Sequence, residues 1–265
     1  MNFAELFTKT GLIGAHRGAR SVAPENTLRS LKASAGHCDF IEVDVQLSSD
    51  GVAVVMHDDT LERTTNVREI KAYKSRSPYN LCDFTLKELA SLDYGSWFDG
   101  VFEPLLTLRE ALRFIKENKI FLNIEIKDMH RFFSDEKVVS SVLGEVKELR
   151  LEESVMFSSF RHEYLPLCKE GLPDILTAAL VEDAHPDNLL EYLRTLHVDA
   201  YNMDDGLADR DTVRQLRDAG FFVNVYTVND PLRAKELFEM GVNGIFTDLP
   251  SLLHVGSDFS RYSEY

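Results

Sequence analysis

The sequence predicts an α/β fold in which eight parallel strands close into a barrel that carries a small insertion. Short apolar runs rich in β-branched residues alternate with amphipathic helical patterns along the whole chain, which is typical of a parallel sheet with crossover helices. The length of 265 residues is common for a one-domain barrel. The 44% hydrophobic and 28% charged residues are typical of a soluble globular protein with one large core.

Nine apolar runs have the length and composition of strands. They cover residues 12–14, 40–47, 52–57, 121–126, 155–158, 176–181, 200–203, 222–226 and 244–247. Residues 48–51 (SSDG) form only a tight turn between the second and third runs, with no room for a helix. We therefore expect 40–47 and 52–57 to form a hairpin near the barrel mouth, which leaves eight strands for the barrel.

Six amphipathic stretches between these runs predict helices, at 24–36, 108–118, 135–149, 186–196, 210–219 and 231–240. The expected start signals are Pro24, Thr107, Ser134, Pro186, Asp209 and the pair Asp230 and Pro231. Gly220 and Gly241 are expected to end two of the helices. After Pro250 we predict a helical turn and a loose tail.

Residues 59–106 interrupt this alternation. The segment is charge-rich at first and then has a capped helical pattern, DFTLKELASLD. A stretch of about 48 residues without a strand pattern is too long for an ordinary connection in a compact barrel. We therefore predict one domain, residues 1–265, with an insertion at about 59–106.

Charge and composition exclude several classes of protein. The net charge of −15 disfavours nucleic acid and anionic membrane surfaces as partners. Three cysteines without CxxC spacing indicate neither a disulfide framework nor a zinc knuckle. The N-terminus lacks a signal-peptide pattern, and no run approaches the roughly 18 apolar residues of a membrane span. We expect a cytoplasmic protein without stable membrane insertion, and the oligomeric state stays open.

Polar residues stand at the ends of four predicted strands, where a barrel places its active site. These residues are His16 and Arg17, Glu42 and Asp44, His57 and Asp58, and Glu125 with Lys127. Taken singly, a histidine at a strand end or a Glu-X-Asp on a strand is more often structural. Their coincidence at four strand ends of one barrel favours a common site.

The chemistry of these residues indicates phosphoryl transfer. Strand alternation places Glu42 with Asp44, and Glu125 with Asn123 and Lys127, on shared faces. Converging carboxylates repel one another unless a divalent cation neutralises them, and an all-oxygen set favours Mg²⁺, Mn²⁺ or Ca²⁺ over zinc.

Histidine is the side chain that titrates near neutrality, so His16 and His57 fit acid–base work. Arg17 and Lys127 supply the positive charge that an anionic phosphoryl group needs.

Longer motifs resemble the glycerophosphodiester phosphodiesterase family over nearly the whole chain. They are GAHRG at 14–18, PENT at 24–27, EVDV at 42–45, VMHDDTLERTT at 55–65, TLREA at 107–111, NIEIK at 123–127, VYTVN at 225–229 and GIFTDLP at 244–250. The resemblance implies a TIM (β/α)8 barrel with a small insertion. It also implies hydrolysis of a small glycerophosphodiester to glycerol 3-phosphate and an alcohol.

The resemblance also assigns roles residue by residue. Glu42, Asp44 and Glu125 would ligate one divalent cation (Mg²⁺, Ca²⁺ or Mn²⁺), and His16 and His57 would be the acid and the base. Arg17 and Lys127 would bind the phosphate. Supporting positions are Glu25 and Asn26 close to the site, Asp58 orienting a neighbour, Asn123 beside the phosphate or metal, and Tyr226 in the pocket wall.

Two features depart from the family pattern. Tyr226 stands where the family commonly has Trp, which leaves the shape of the glycerol or head-group pocket open. Residues 66–71 also lack the glycine-rich text that usually follows the ArgThrThr motif. The sequence does not decide which histidine is the base, or whether a water at the metal or the substrate's own neighbouring hydroxyl is the nucleophile.

Three alternatives remain open. Lysophospholipase-D-like cleavage of a lipid would need an apolar rim, for which Tyr94, Trp97, Phe98 and Phe102 are candidates, although such aromatics more often form a segment's own core. A non-catalytic barrel would bind phosphodiesters without cleaving them. A sugar-phosphate isomerase or aldolase would need a glycine-rich phosphate loop after the seventh or eighth strand, which residues 204–208 and 247–250 do not supply.

Overall fold

The computed structural model describes residues 2–254 and contains a closed barrel of eight parallel strands. The barrel strands are β1 (Leu12–Ala15), β2 (Phe40–Leu47), β4 (Phe121–Ile126), β5 (Val155–Ser159), β6 (Leu176–Val181), β7 (Ala200–Asp204), β8 (Phe222–Tyr226) and β9 (Gly244–Thr247). Each pairs in parallel with its neighbours, and β1 closes the ring by pairing with both β9 and β2. The predicted α/β barrel is confirmed.

The ninth strand, β3 (Ala53–Val55), forms the predicted hairpin with the end of β2. The pairing is antiparallel, with Val45 opposite Val55 and Leu47 opposite Ala53. The turn is held by Ser48, whose N–H donates to the Val52 carbonyl at 3.0 Å. β3 is shorter than the predicted run 52–57, so His57 lies in the loop beyond the strand.

The helices surround the barrel. They are α1 (Phe3–Phe7), α2 (Leu28–Ser34), α3 (Leu86–Leu89), α4 (Ser96–Asp99), α5 (Leu108–Asn118), α6 (Asp135–Leu149), α7 (Tyr164–Gly171), α8 (Leu189–Thr195), α9 (Arg210–Asp218), α10 (Pro231–Met240) and α11 (Pro250–His254). Thr107, Ser134, Asp209 and Asp230 cap their helices as predicted. The last helix matches the turn predicted after Pro250, and the predicted tail lies outside the described residues.

Two predicted helix starts were wrong. Helix α2 begins at Leu28, because the Thr27 side chain accepts from the Ser30 N–H and thus caps the helix three residues beyond Pro24. Helix α8 begins at Leu189, after Asn188, and Pro186 lies outside it. Helices α1, α4 and α7 were not predicted.

Aromatic packing closes the end of the barrel opposite the strand carboxyl ends. Phe3 and Phe7 of α1 contact Phe40 of β2, with ring centroids 5.8 and 5.6 Å away. The Phe40 ring also meets Phe246 of β9 edge-on at 5.4 Å. Because this end is filled by fully packed side chains, the open end at the carboxyl termini of the strands is where a ligand can enter the barrel.

The segment between β3 and α5 packs around its own apolar cluster. Leu61, Leu81, Phe84, Leu89 and Leu92 are all fully buried in it. Short 3₁₀ turns, α3 and α4 make up its regular structure, and Thr85 caps α3 as its sequence predicted. The insertion is therefore a folded subdomain, and the assignment of all 265 residues to one domain stays a prediction.

No helix within residues 2–254 is long and apolar enough to cross a membrane.

Candidate active site

A cavity of about 590 Å³ opens at the carboxyl ends of the barrel strands. Eight of the twelve predicted site residues line it: His16, Arg17, Glu42, His57, Asn123, Glu125, Lys127 and Tyr226. The other four, Glu25, Asn26, Asp44 and Asp58, contact members of this set through hydrogen bonds or ion pairs. All twelve residues are thus in one place, and the roles given to them stay predictions.

Three carboxylates converge on the inner face of β2 and β4. Carboxylate oxygens of Glu42, Asp44 and Glu125 all lie within 4.8 Å of one another. The parallel register sets Asp44 beside Glu125, and alternation along β2 puts Glu42 on the same face. Glu42 and Asp44 are only 3% and 1% exposed, so water cannot screen their repulsion.

Burial and neighbouring charges shift the pKa values of these three carboxyl groups in different directions. Burial, together with the charges of Asp44 and Glu125, raises the pKa of Glu42 well above its ordinary value. Burial and Asp44 likewise raise the pKa of Glu125. Burial opposes ionisation of Asp44 too, but Lys127 and Arg17 lower its pKa to about 2. Ionisation of all three carboxyl groups together is therefore disfavoured unless a further positive charge lies between them.

The cluster also contains a carboxylate oxygen without a partner. Glu42 Oε2 accepts the Arg17 backbone N–H at 2.8 Å, whereas Glu42 Oε1 is buried and has no hydrogen-bond partner within residues 2–254. A buried oxygen in this state costs free energy unless a ligand completes it. Together with Asp44 and Glu125, Glu42 forms an all-oxygen donor set, which fits a hard divalent cation such as Mg²⁺, Ca²⁺ or Mn²⁺.

His16 follows β1 directly and is held by a carboxylate from the loop after β9. Its backbone N–H donates to the Thr247 carbonyl at 3.0 Å, and its Nδ1 lies 2.8 Å from Asp248 Oδ1. Burial lowers the pKa of His16, although the hydrogen bond that it donates to Asp248 opposes the shift. The Nδ1 contact leaves Nε2 as the ring nitrogen available to a ligand.

His57 has the same kind of support from the next residue in the chain. Its Nδ1 lies 2.7 Å from Asp58 Oδ1. Arg63 donates from Nε to Asp58 Oδ2 at 2.6 Å and from Nη2 to Oδ1 at 2.9 Å. Burial opposes ionisation of Asp58, but the hydrogen bonds from His57 and Arg63 lower its pKa, so the group beside His57 is a fixed anion.

Arg17 occupies a tight turn beside the carboxylates. Its φ of 55° lies in the left-handed region, as does the φ of 56° at Asn26, and the Asn26 N–H donates to the Arg17 carbonyl at 3.1 Å. Non-glycine residues adopt this conformation at a cost, which is typical of functional sites. The turn directs the Arg17 guanidinium to Glu25 at 2.9 Å and Asp44 at 3.4 Å, while Asn26 donates to Asp44 at 2.8 Å.

Lys127 provides the second cation of the cavity. Its Nζ lies 2.8 Å from Glu125 Oε1 and 3.7 Å from Asp44 Oδ1. Burial opposes protonation of Lys127, but the charges of Glu125 and Asp44 raise its pKa. Lys127 and Arg17 are thus charged groups next to the carboxylate cluster, where an anionic group bound to a cation would lie.

The opposite wall is partly aromatic. Tyr226 ends β8 and meets the Phe160 ring edge-on, with centroids 6.1 Å apart. Its hydroxyl donates to the Val181 carbonyl, which holds the ring against the wall. Asn123 is buried deeper, where its Nδ2 donates to Ser158 Oγ at 2.9 Å. This wall therefore presents the aromatic rings of Tyr226 and Phe160 to the cavity.

Sequence reasoning missed several residues of the site. Arg63 and Asp248 lie inside the motifs at 55–65 and 244–250, but their roles depend on partners 38 and 232 positions away. Arg20 and Asn229 also contact the groups that hold the histidines. Phe160, Glu182 and Asp204 line the cavity without having been predicted. The sequence signal that could have identified Arg63 and Asp248 is that both are charged residues inside the long motifs.

Comparisons with known proteins agree with this geometry. The model of the glycerophosphoryl diester phosphodiesterase family matches residues 16–252. A glycerophosphodiester phosphodiesterase of Bacillus subtilis (strain 168) is 32% identical over 262 residues, covering 91% of this chain and 84% of the relative. One from Caldanaerobacter subterraneus subsp. tengcongensis is 33% identical over 252 residues, covering 91% and 96%.

A solved structure supports the same relationship. The Oleispira antarctica phosphodiesterase in complex with the product sn-glycerol-3-phosphate has a TM-score of 0.84 at 30% identity, covering 93% of this chain and 96% of that one. The family match includes all twelve predicted site residues, from His16 to Tyr226. The chain belongs to the glycerophosphoryl diester phosphodiesterase family.

Proposed function

We propose that the chain hydrolyses glycerophosphodiesters to glycerol 3-phosphate and an alcohol, using one divalent cation and the acid–base pair His16 and His57. One observation carries the proposal: a buried carboxylate cluster with an unpartnered oxygen, two cations and two carboxylate-backed histidines share one cavity. The product-bound Oleispira antarctica relative supports glycerol 3-phosphate as the released group.

The carboxylate cluster is the site proposed for the cation. Glu42, Asp44 and Glu125 would hold it, and when bound it supplies positive charge to the carboxylates and polarises a phosphoryl oxygen. Arg17 and Lys127 would stabilise negative charge on the other non-bridging oxygen of the phosphodiester. Stabilising the charge that develops on the phosphoryl group is usually the largest catalytic contribution.

The two histidines transfer the protons. Asp248 and Asp58 fix the Nδ1 side of each ring, so the Nε2 side of each is free to exchange a proton with substrate. The lowered pKa of His16 favours its neutral form and so the role of proton acceptor from the nucleophile. His57 would then protonate the leaving alkoxide.

The histidine roles are tested by alanine substitution. Release of glycerol 3-phosphate from glycerophosphocholine should fall by about 10²–10⁴-fold in His16→Ala and in His57→Ala, with a small change in KM. His130→Ala is the matched control, since His130 is also paired with a carboxylate, Asp128 at 2.7 Å, but lies outside the cavity. Turnover close to wild type in both His16→Ala and His57→Ala would contradict the assignment of these histidines as the acid–base pair.

Cleavage of lysolipids is the alternative within this reaction class. Tyr94 is 5% exposed and belongs to the core of the insertion, whereas Trp97 and Phe102 are 40% and 60% exposed. Among the described residues, none of these aromatics lines the cavity, which favours a small soluble substrate. Comparing turnover of lysolipid micelles with that of soluble glycerophosphocholine separates the two substrates.

The net charge of −15 supports a small-molecule substrate over nucleic acid as the partner. A cytoplasmic location is part of the same proposal.

A further inference from the structure

Five charged side chains form a continuous series of contacts between the two histidines. We name this series the charged bridge. In order from His57 to His16 its members are Asp58, Arg63, Glu25, Arg20 and Asp248. Both ends of the bridge terminate on the Nδ1 atom of a cavity histidine, at 2.7 and 2.8 Å.

The half of the bridge next to His57 is tight. The guanidinium of Arg63 holds both oxygens of Asp58, at 2.6 and 2.9 Å, and both oxygens of Glu25, at 2.6 and 3.0 Å. Two bidentate pairs on one planar group fix its orientation. Asp58 therefore cannot rotate away from His57 without breaking two charge-assisted bonds.

The half next to His16 is looser. Arg20 lies 3.3 Å from Glu25 and 3.6 Å from Asp248, beyond good hydrogen-bond geometry for the second contact. Asp248 has a second support in Asn229, which donates to its Oδ2 at 3.0 Å and accepts its backbone N–H at 2.9 Å. His16 therefore depends less on the bridge than His57 does.

Glu25 is the centre of the bridge. It is 6% exposed and contacts three guanidinium groups, those of Arg63, Arg20 and Arg17. Burial opposes its ionisation, but the hydrogen bonds from Arg63 outweigh that effect, so the pKa of Glu25 is lowered. Glu25 thus sets the position of Arg17 beside the carboxylate cluster. Through Arg63 and Arg20 it also acts on the carboxylates that hold the two histidines.

A purely structural role does not account for this arrangement. Partly exposed ion pairs contribute little stability, and a buried carboxylate requires costly desolvation. Arg63 is 42% exposed at its side chain, yet it makes four hydrogen bonds to the carboxylates of Asp58 and Glu25. Such supports behind functional histidines orient the ring and select its tautomer.

We propose that Arg63, Glu25 and Arg20 are positioning residues that act through Asp58 and Asp248 on the two histidines, with Arg63 and Glu25 controlling His57. The kinetic part of this inference rests on the proposed function. Its structural part concerns only where the Nδ1 proton of His57 resides, and that can be measured in a protein that turns over no substrate.

The first experiment measures the tautomer of His57 by ¹⁵N NMR on protein labelled at histidine, with the His57→Ala spectrum to assign the signals. In the wild type, neutral His57 should carry its proton on Nδ1, facing Asp58. In Arg63→Met and Glu25→Gln that population should fall markedly in favour of the Nε2–H form. Arg68→Met is the control, because Arg68 is 67% exposed at its side chain and within residues 2–254 forms an ion pair only with Glu62.

The second experiment measures turnover of glycerophosphocholine. Arg63→Met and Glu25→Gln should each lower kcat by about 10–100-fold. For Arg63→Met, KM should change little. Arg20→Met should have the smaller effect, and Arg63→Lys should recover part of the lost kcat. In a His57→Ala background Arg63→Met should cause no further loss, because its effect passes through His57.

Two results would overturn the inference. An unchanged His57 tautomer in both Arg63→Met and Glu25→Gln would show that the bridge does not orient the ring. A full additional loss from Arg63→Met in the His57→Ala background would assign Arg63 to folding or to direct substrate contact. If the wild type releases no glycerol 3-phosphate, the proposed function fails while the tautomer result still decides the role of the bridge.

Discussion

Each cavity histidine is held by a carboxylate at its Nδ1 atom, and the two carboxylates come from distant positions in the sequence. Asp58 is the neighbour of His57, whereas Asp248 is 232 positions from His16. Local sequence therefore indicated the first pair and could not indicate the second. The same limit applies to Arg63, whose contacts with Glu25 depend on the fold that brings the two loops together.

Replacing Asp248 with Asn should move the pH dependence of turnover. Burial and Arg17 lower the pKa of His16. Asp248 is the main group that raises this pKa, and Asp44 raises it more weakly. Removing the charge should lower the pKa of His16 further, so the acidic limb of the kcat/KM profile should shift to lower pH while maximal turnover falls. Kinetics across the pH range measure both effects.

Asp128→Asn is the matched control for this prediction, since Asp128 pairs with His130, which does not line the cavity. An acidic limb that stays in place or moves to higher pH in Asp248→Asn would contradict the role of His16 as proton acceptor.

At the scale of elements, the strands were predictable and several helix boundaries were not. Buried parallel strands are continuous apolar runs, which the sequence displays directly. The start of α2 was misplaced because Pro24 resembles a first-turn proline, while Glu25 and Asn26 are used by the site and Thr27 provides the cap. Helix α7 has no side-chain cap at Glu163, so its start had no sequence signal.

Gly14 in β1 is a position where packing tolerates no side chain. A Cβ there would lie 2.4 Å from two ring carbons of Phe40, which is itself enclosed by other aromatic rings. Gly14→Ala should therefore lower the free energy of unfolding by about 1–3 kcal/mol or more, the usual cost of overpacking. Denaturant unfolding followed by circular dichroism measures the change.

Gly144→Ala provides the comparison, because Gly144 lies within α6 and its added Cβ would meet nothing within 4 Å. That variant should be neutral or more stable by about 0.5–1 kcal/mol. Equal stability of the two variants would contradict the packing assigned to β1.

For the whole molecule, the carboxylate cluster should couple stability to pH and to a divalent cation. A carboxyl group whose pKa is raised by folding contributes stability at pH below its unfolded pKa, and that contribution is lost as the pH rises through the folded pKa. Glu42 and Glu125 are of this kind. Metal-free protein should thus lose stability as the pH rises above about 4.5, the ordinary pKa of glutamate, and a divalent cation should restore it.

Glu42→Gln should separate these two effects. Removing the charge should stabilise metal-free protein at neutral pH by about 1.4 kcal/mol for each unit by which folding raises the pKa of Glu42. A divalent cation at 100 times its Kd should stabilise the wild type by about 2.7 kcal/mol. The same cation concentration should stabilise Glu42→Gln much less. Thermal unfolding with and without Mg²⁺, Mn²⁺ or Ca²⁺ measures this; identical responses would contradict the cation site.

We claim that this cavity cleaves a glycerophosphodiester in a metal-dependent reaction. The most direct measurement is release of glycerol 3-phosphate from glycerophosphocholine and glycerophosphoethanolamine by chelator-stripped protein, with Mg²⁺, Mn²⁺ or Ca²⁺ added back. We predict negligible release from stripped protein and restored release with at least one of these ions. Equal release with and without metal, or none with any ion from folded protein, would contradict the claim.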